Sequence, residues 1–490
     1  MEYATDSGSG KEAALALALA AVSCCAVLVW FGNGLNPWWP LMWFAPLPVL
    51  LFAGRGSWKS TAAVAFAGML LGSLSMWHYF HALGLPVMAW FGLYGSAAAG
   101  FAAGVLLFRA LLVRGREWSA ALSLPALWVC GEYLRNFALP HGTAGSLAYT
   151  QLHFLPFLQL ASITGPWGMS FVLLLFPAAL AAAVYVRKSA PRRAMGITGG
   201  VVGLIAVVLS YGAVRLGAAR PAADRVKVGL IVSDAGGNKR TAGPGAATEQ
   251  LLEEYAGVAE RLAGEGAQAI VMPEKLGLVT DADAEKDDAI FQTVANRTGA
   301  TMVVGVERDS ATAKYNEARV YGPESDVLTY DKHHLLPPFE SPLTPGRSLT
   351  VLDRRSGRWG VGICKDMDFT RLPRKDGAAG VGLMLVPAWD FEMDRSWHGH
   401  IAVMRGVESG FSMVRAAKGG YLTVSDSRGR VLAEARSDSA PFATLLAEVP
   451  ATHDTTFYLL TGDWFAVVAL GILVFVAVRL YRVRGESREK

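Results

Sequence analysis

Charge is scarce in this chain. Asp, Glu, Lys and Arg make up 18% of its 490 residues, against 52% hydrophobic, too little charge for a typical soluble chain of that length. The two signs nearly cancel, 45 basic against 41 acidic residues for a net +4, so there is no excess of the kind a nucleic-acid partner exploits. Cysteine is rare as well. Of four, Cys24, Cys25 and Cys130 lie in apolar runs, which leaves Cys364 without a local disulfide partner. No Cys/His spacing suggests zinc, and no glycine cluster forms a P-loop. A basic leader is also missing, since Glu2 and Asp6 offset Lys11; the first apolar run therefore reads as a membrane helix and not a signal peptide.

What is present is apolar length. A bilayer core of about 30 Å needs about 20 apolar residues as helix. Eight segments qualify, at roughly 12–31, 38–54, 59–81, 86–113, 117–138, 167–186, 195–216 and 463–481. The second is short and rich in Trp and Pro, so a tilted or interfacial course is expected. Residues 147–163 are apolar but short and bounded by Gly and Pro, which suits a half-inserted or surface segment better than a ninth span. Basic residues alternate between the loops. Arg55 and Lys59 follow segment two, Arg114 and Arg116 segment four, Arg187, Lys188, Arg192 and Arg193 segment six, and Arg482 and Arg484 segment eight. That pattern predicts cytoplasmic termini and an extracytoplasmic soluble part after segment seven, where a lone thiol meets an oxidising space.

The soluble part alternates strand and helix signals over 226–448. Strands are expected at 226–233, 268–274, 301–308, 358–364 and 381–387, with a strand pair across 316–332. Helices are expected at 248–266, 283–299 and 394–410, and short strands separated by Gly turns finish the domain. The pattern predicts a layered α/β domain. Glu274, Lys332 and Cys364 fall at or just past strand ends, where sites gather. Glu274 as general base, Cys364 as nucleophile and Lys332 as oxyanion stabiliser would form a thioester. Water resolving it would make an amidase or esterase, and an amine an acyltransferase. Singly, a strand-end Cys is more often core, and a Glu after Met-Pro or a Lys in YDKHH more often a surface or ion-pairing residue.

The wording around the three residues adds to this. VMPE at 271–274, YDKHHLLPPFE at 330–340 and GVGIC at 360–364 resemble the Glu-Lys-Cys triad of the nitrilase superfamily. In the apolar half, ALWVCGEYLRNF (126–137), GSLAYTQ (145–151), LASITGPWGMSFVLLL (160–175) and TGDWF (461–465) resemble the bacterial apolipoprotein N-acyltransferase family. The resemblance covers nearly the whole chain. It implies a multi-pass α-helical membrane domain of about seven helices (1–221), an extracytoplasmic α/β nitrilase-like domain with αββα layers (222–455) and a closing helix with a cytoplasmic tail (456–490). It implies transfer of a fatty acyl chain from a membrane phospholipid, through a Cys364 thioester, to the N-terminal amine of a diacylglyceryl-cysteine lipoprotein in the bacterial cytoplasmic membrane. A monomer without metal or cofactor is expected. Catalytic roles fall to Glu274, Lys332 and Cys364, and a supporting role to Glu340.

The chain departs from the family at the nucleophile, where Cys-Tyr-Glu becomes Cys364-Lys365-Asp366. Asp366 would replace the glutamate with a shorter reach. Lys365 would either lower the thiol pKa or point to solvent. The stretch between Glu340 and Cys364 is short, and the 233–243 loop lacks an expected tryptophan. These changes leave two alternatives: an amidase or acyltransferase acting on a different envelope amine or amide, or a non-catalytic lipid-binding relative. His333 and His334 read as loop packing. His398 and His400 do not share a helix face. Glu132 and Arg135 read as an ion pair within the apolar half.

Overall fold

The computed structural model describes residues 6–218 and 225–486. They fall into two compact units. One holds the chain up to Arg135, Gly145–Val214 and everything from Asp463; the other holds Asn136–Ala144 and Arg215–Gly462.

Among the described residues six helices are long and apolar enough to cross a membrane: Lys11–Gly32, Trp58–Ala82, Val87–Leu112, Ala161–Val186, Pro191–Gly217 and Trp464–Arg482. The expected second segment is instead two short helices, Trp39–Met42 and Leu47–Ala53, because the prolines at 40, 46 and 48 cannot continue a helical ladder. The expected fifth segment is one helix, Glu117–Ala138, with Glu117, Glu132 and Arg135 in an otherwise apolar sequence. Residues 147–160 form no helix long enough to span: they hold a buried turn, Leu147–Gln151, and a short helix, Leu155–Leu158, and 161–163 already open helix Ala161–Val186.

Glu132 is buried, yet it does not pair with Arg135 as expected. Its carboxylate accepts from Trp128 Nε1 at 2.9 Å, the Leu147 N–H at 2.8 Å and Ser146 Oγ at 3.1 Å, while Arg135 lies over the Trp128 ring at 5.8 Å. Three donors already satisfy the carboxylate, so the guanidinium is not needed there. Helix Ala161–Val186 is broken at Gly165 (φ 62°) before Pro166. The last helix is tied to that break, with Trp464 Nε1 donating to Ile163 O at 2.8 Å and Trp167 Nε1 to Asp463 at 2.7 Å.

The second unit is a sandwich of two sheets. The first contains β1 (Arg225–Val232), β2 (Ala269–Val271), β3 (Leu278–Thr280), β4 (Thr301–Asp309), β5 (Lys314–Tyr321), β6 (Leu328–Asp331) and β13 (Ala443–Pro450). The second contains β7 (Val351–Arg354), β8 (Gly357–Val361), β9 (Val381–Trp389), β10 (Ser412–Lys418), β11 (Tyr421–Ser425) and β12 (Val431–Arg436). Their orders are β13-β1-β2-β4-β5-β6, with β3 beside β4, and β12-β11-β10-β9-β8-β7. Strands β1, β2 and β4 run parallel, as do β8, β9 and β10.

Val228, Leu230, Val271 and Val303 of one sheet pack with Leu383, Leu385, Val414 and Val361 of the other. Helices Ala246–Gly264 and Ala284–Thr298 cover one outer face, and Trp397–Ser409 packs on the other. Each central strand is covered on both faces, which is why these strands read as unbroken apolar runs. The layers are αββα. Parallel strands align their C-terminal ends, and the candidate residues lie beyond those ends.

Candidate active site

Three chain ends converge. Glu274 follows β2 by three residues, Lys332 directly follows β6, and Cys364 follows β8 by three. Glu274 and Lys332 are buried, and Cys364 is partly exposed. Lys332 Nζ donates to Glu274 Oε1 at 2.8 Å and to Glu340 Oε2 at 2.9 Å. The second carboxylate oxygen of Glu274 is buried with no hydrogen-bond partner, so one oxygen is held and the other is open to take a proton. Burial alone would lower the Lys332 pKa, but Glu274, Cys364 and Glu340 outweigh it and raise it well above the ordinary lysine range, so the ammonium persists.

Cys364 has φ 41°, a conformation a non-glycine residue holds only when its surroundings impose it. Here the chain leaves β8 and closes at once into the turn Cys364–Asp368, which turns the thiol out of the strand. Its S–H donates to Trp389 O at 3.5 Å. Burial and then the Glu274 charge push the thiol pKa well above its usual value, against the opposing pull of Lys332 and Arg415. The resting thiol is therefore neutral, and attack requires a base.

Glu340 joins this cluster. It accepts from Lys332, from Asn316 Nδ2 at 2.6 Å and from the Leu336 N–H at 2.8 Å, and pairs with Lys275 at 3.1 Å. Burial would raise its pKa, but Lys332 and then Lys275 hold it down at about 2. Asn316 also donates to Glu274 Oε1 at 2.5 Å, so one amide nitrogen spaces the two carboxylates.

Of the two courses open to Lys365, the structure excludes the solvent-facing one, and it gives Asp366 a bracing place. Asp366 is buried and accepts from Tyr330 Oη at 2.7 Å, the Ile363 N–H at 3.1 Å and the His334 N–H at 2.9 Å, with His334 Nδ1 at 3.0 Å. It braces the turn that carries Cys364. Lys365 is buried and does not point to solvent. Its ammonium donates to His141 Nδ1 at 3.0 Å, and burial lowers its pKa. His141 belongs to the segment 136–144, which is seated on the Cys364–Asp368 turn: the Thr143 N–H and hydroxyl both donate to Asp368 O, at 3.0 and 2.7 Å. His333 and His334 pack in the loop, stacked on Tyr330 and Phe369.

Sequence reasoning missed Asn316, Lys275, Arg415 and His141. Arg415 makes a two-pronged pair with Asp390, at 2.8 and 2.5 Å, next to Cys364. The one signal was a charged residue inside the apolar strand SMVRAA. Asn316, Lys275 and His141 carry no such mark, because their partners lie far along the chain.

Known proteins resemble this chain over both of its halves. The family model described as the apolipoprotein N-acyltransferase N-terminal domain matches residues 25–179, and the one described as carbon-nitrogen hydrolase matches residues 244–452. The chain is 29% identical to the apolipoprotein N-acyltransferase of Geobacter metallireducens, over 90% of this chain and 91% of that one. It is 25% identical to the protein of that name from Gloeobacter violaceus, over 90% of each. Among solved structures, a mutant of the Nesterenkonia AN1 amidase from the nitrilase superfamily aligns with 50% of this chain and 97% of its own, at 21% identity and a TM-score of 0.43.

Proposed function

We propose, from the premise that the chain belongs to the apolipoprotein N-acyltransferase family, that it carries out lipoprotein N-acylation with Glu274, Lys332 and Cys364 as its catalytic residues. The open oxygen of Glu274 takes the Cys364 proton. The thiolate attacks the ester carbonyl of a membrane phospholipid, and Lys332 stabilises the oxyanion. Collapse breaks the ester C–O bond. Glu274 returns the proton to the departing lysophospholipid oxygen, and the acyl chain remains on sulfur. The α-amine of a diacylglyceryl-cysteine lipoprotein then attacks the thioester and Glu274 takes its proton. The C–S bond breaks, the amide forms, and the thiolate recovers its proton.

The observation that supports this reading is the convergence of an outturned thiol, a carboxylate with one unengaged oxygen and a lysine held as an ammonium by two carboxylates. Going from ester to amide is downhill, so the reaction needs no energy source. The six long apolar helices among the described residues hold the chain in the bilayer, where both lipid substrates reside. Alternating basic loops support cytoplasmic termini and an extracytoplasmic catalytic unit, and a monomer suffices because all three residues come from one chain.

Intact-mass analysis of the purified protein with phospholipid tests the reading. A fatty-acyl increase that hydroxylamine removes and Cys364→Ala abolishes is expected, followed by transfer to a diacylglyceryl lipopeptide. A folded protein that gains no mass would sink it.

A further inference from the structure

One buried titratable group has no part in the reaction described above. Lys418 is the last residue of β10 and is fully buried. It pairs in register with Trp389, the last residue of β9, and its ammonium lies 3.9 Å from the centre of that indole ring. The same nitrogen donates to the main-chain carbonyl of Lys275 at 2.9 Å. These contacts cross the sandwich, since Lys418 and Trp389 belong to the six-stranded sheet and Lys275 follows β2 of the seven-stranded one.

The residues it joins are those next to the chemistry. Lys275 follows Glu274 and holds φ 52°, a conformation that persists only under outside restraint. The Glu274 N–H donates to Ala388 O at 3.3 Å, one residue before Trp389, whose carbonyl receives the Cys364 S–H. The base and the nucleophile thus arrive from different sheets.

We propose that Lys418 is a positioning residue that pins the 274–275 turn of one sheet to the strand ends of the other, and so sets the separation across which Glu274 takes the Cys364 proton. This rests on the reading of Glu274 as base. Burial brings the Lys418 pKa down to about 7, with Glu274 and Asp234 opposing and Lys275 assisting. Both the charged and the neutral amine keep an N–H for the Lys275 carbonyl, so the tie survives titration. A general base works only within hydrogen-bond reach of its proton, so a turn freed by a fraction of an ångström loses rate without unfolding.

The test is alkylation of Cys364 by iodoacetamide in the full-length protein in detergent, read on the Cys364 peptide by mass spectrometry. It needs no acyl donor. Wild type, Lys418→Met, Lys418→Gln and Glu274→Gln are compared from about pH 6 to about pH 9, with melting temperature as the fold control. Lys418→Met is expected to slow alkylation at neutral pH by roughly 10- to 100-fold. Its rate should then climb steeply with pH, as it does in Glu274→Gln, because hydroxide replaces the base; the wild-type profile is flatter. A merely structural loss would lower the melting temperature and leave that slope alone. Lys418→Met with the wild-type rate and slope, beside a slow Glu274→Gln, overturns the tie alone. Glu274→Gln with the wild-type profile overturns the base assignment and the tie with it. If Lys418→Met does not fold, Lys418→Gln answers the same question, because its shorter amide stops short of the Lys275 carbonyl. The same slowing supports the tie, and the wild-type profile overturns it.

Discussion

At the scale of single residues, the site is a chain of alternating charges. Lys332 lies between Glu274 and Glu340, and Lys275 reinforces Glu340. Removing the central cation leaves two buried carboxylates facing each other. Lys332→Met is therefore expected to abolish acyl-thioester formation and to cost about 3–5 kcal/mol of stability, read by denaturant unfolding. Glu340 carries a pH signature. Its folded pKa, about 2, lies below the ordinary value of 4.5, so its stabilisation is complete above about pH 4.5 and fades as the pH falls towards 2. Glu340→Gln should melt below wild type above pH 4.5, and the two curves should converge as the pH nears 2. Parallel curves across that range would remove Glu340 from the charge chain. The resting thiol, with its pKa raised, predicts that Glu274→Gln loses roughly 100- to 10,000-fold in acylation rate, measured in a single turnover.

At the scale of elements, the site depends on close backbone approach. Strand β4 passes beneath Glu274 at Gly305, where a Cβ would stand 2.5 Å from Pro273 O and 2.6 Å from Glu274 Cα. Both atoms are backbone and cannot step aside. Gly305→Ala should therefore cost about 1–3 kcal/mol and slow acylation, because the strain falls on Glu274, the proposed base. A wild-type rate in that variant would show that the 273–274 turn gives way freely. The segment 136–144 makes a second close approach. Gly142 has φ 55°, and a Cβ there would stand 2.6 Å from Asp368 O, four residues past Cys364. Gly142→Val should loosen the Thr143–Asp368 contacts and expose the Cys364–Asp368 turn to faster hydrogen exchange.

At the scale of the whole molecule, the apolar half keeps the chain in the bilayer. The last helix exposes Val467, Leu470, Val474 and Phe475, which suits lipid on that side. Val474→Arg near its middle should cost about 2.5–3.5 kcal/mol of insertion. The expected readout is a smaller share of the protein resisting carbonate extraction; an unchanged share would mean that this face does not meet lipid.

The sequence by itself determined most of the apolar helices, the order of most strands and the strand-end places of Glu274, Lys332 and Cys364. Each of these is written locally: about 20 apolar residues make a span, doubly covered strands read as apolar runs, and strand ends carry short polar words. Three strands escaped that reading. β3 is too short to declare itself, β7 is half polar, and β13 owes its place to antiparallel pairing with β1, more than 200 residues away. Only the tertiary structure decided what surrounds the triad. Asn316 between two carboxylates, Arg415 against Asp390, Lys365 drawn to His141 and Lys418 across the two sheets are contacts between distant parts of the chain. Their energies come from burial and from who stands opposite. Those are properties of the packed molecule, and no window of sequence carries them.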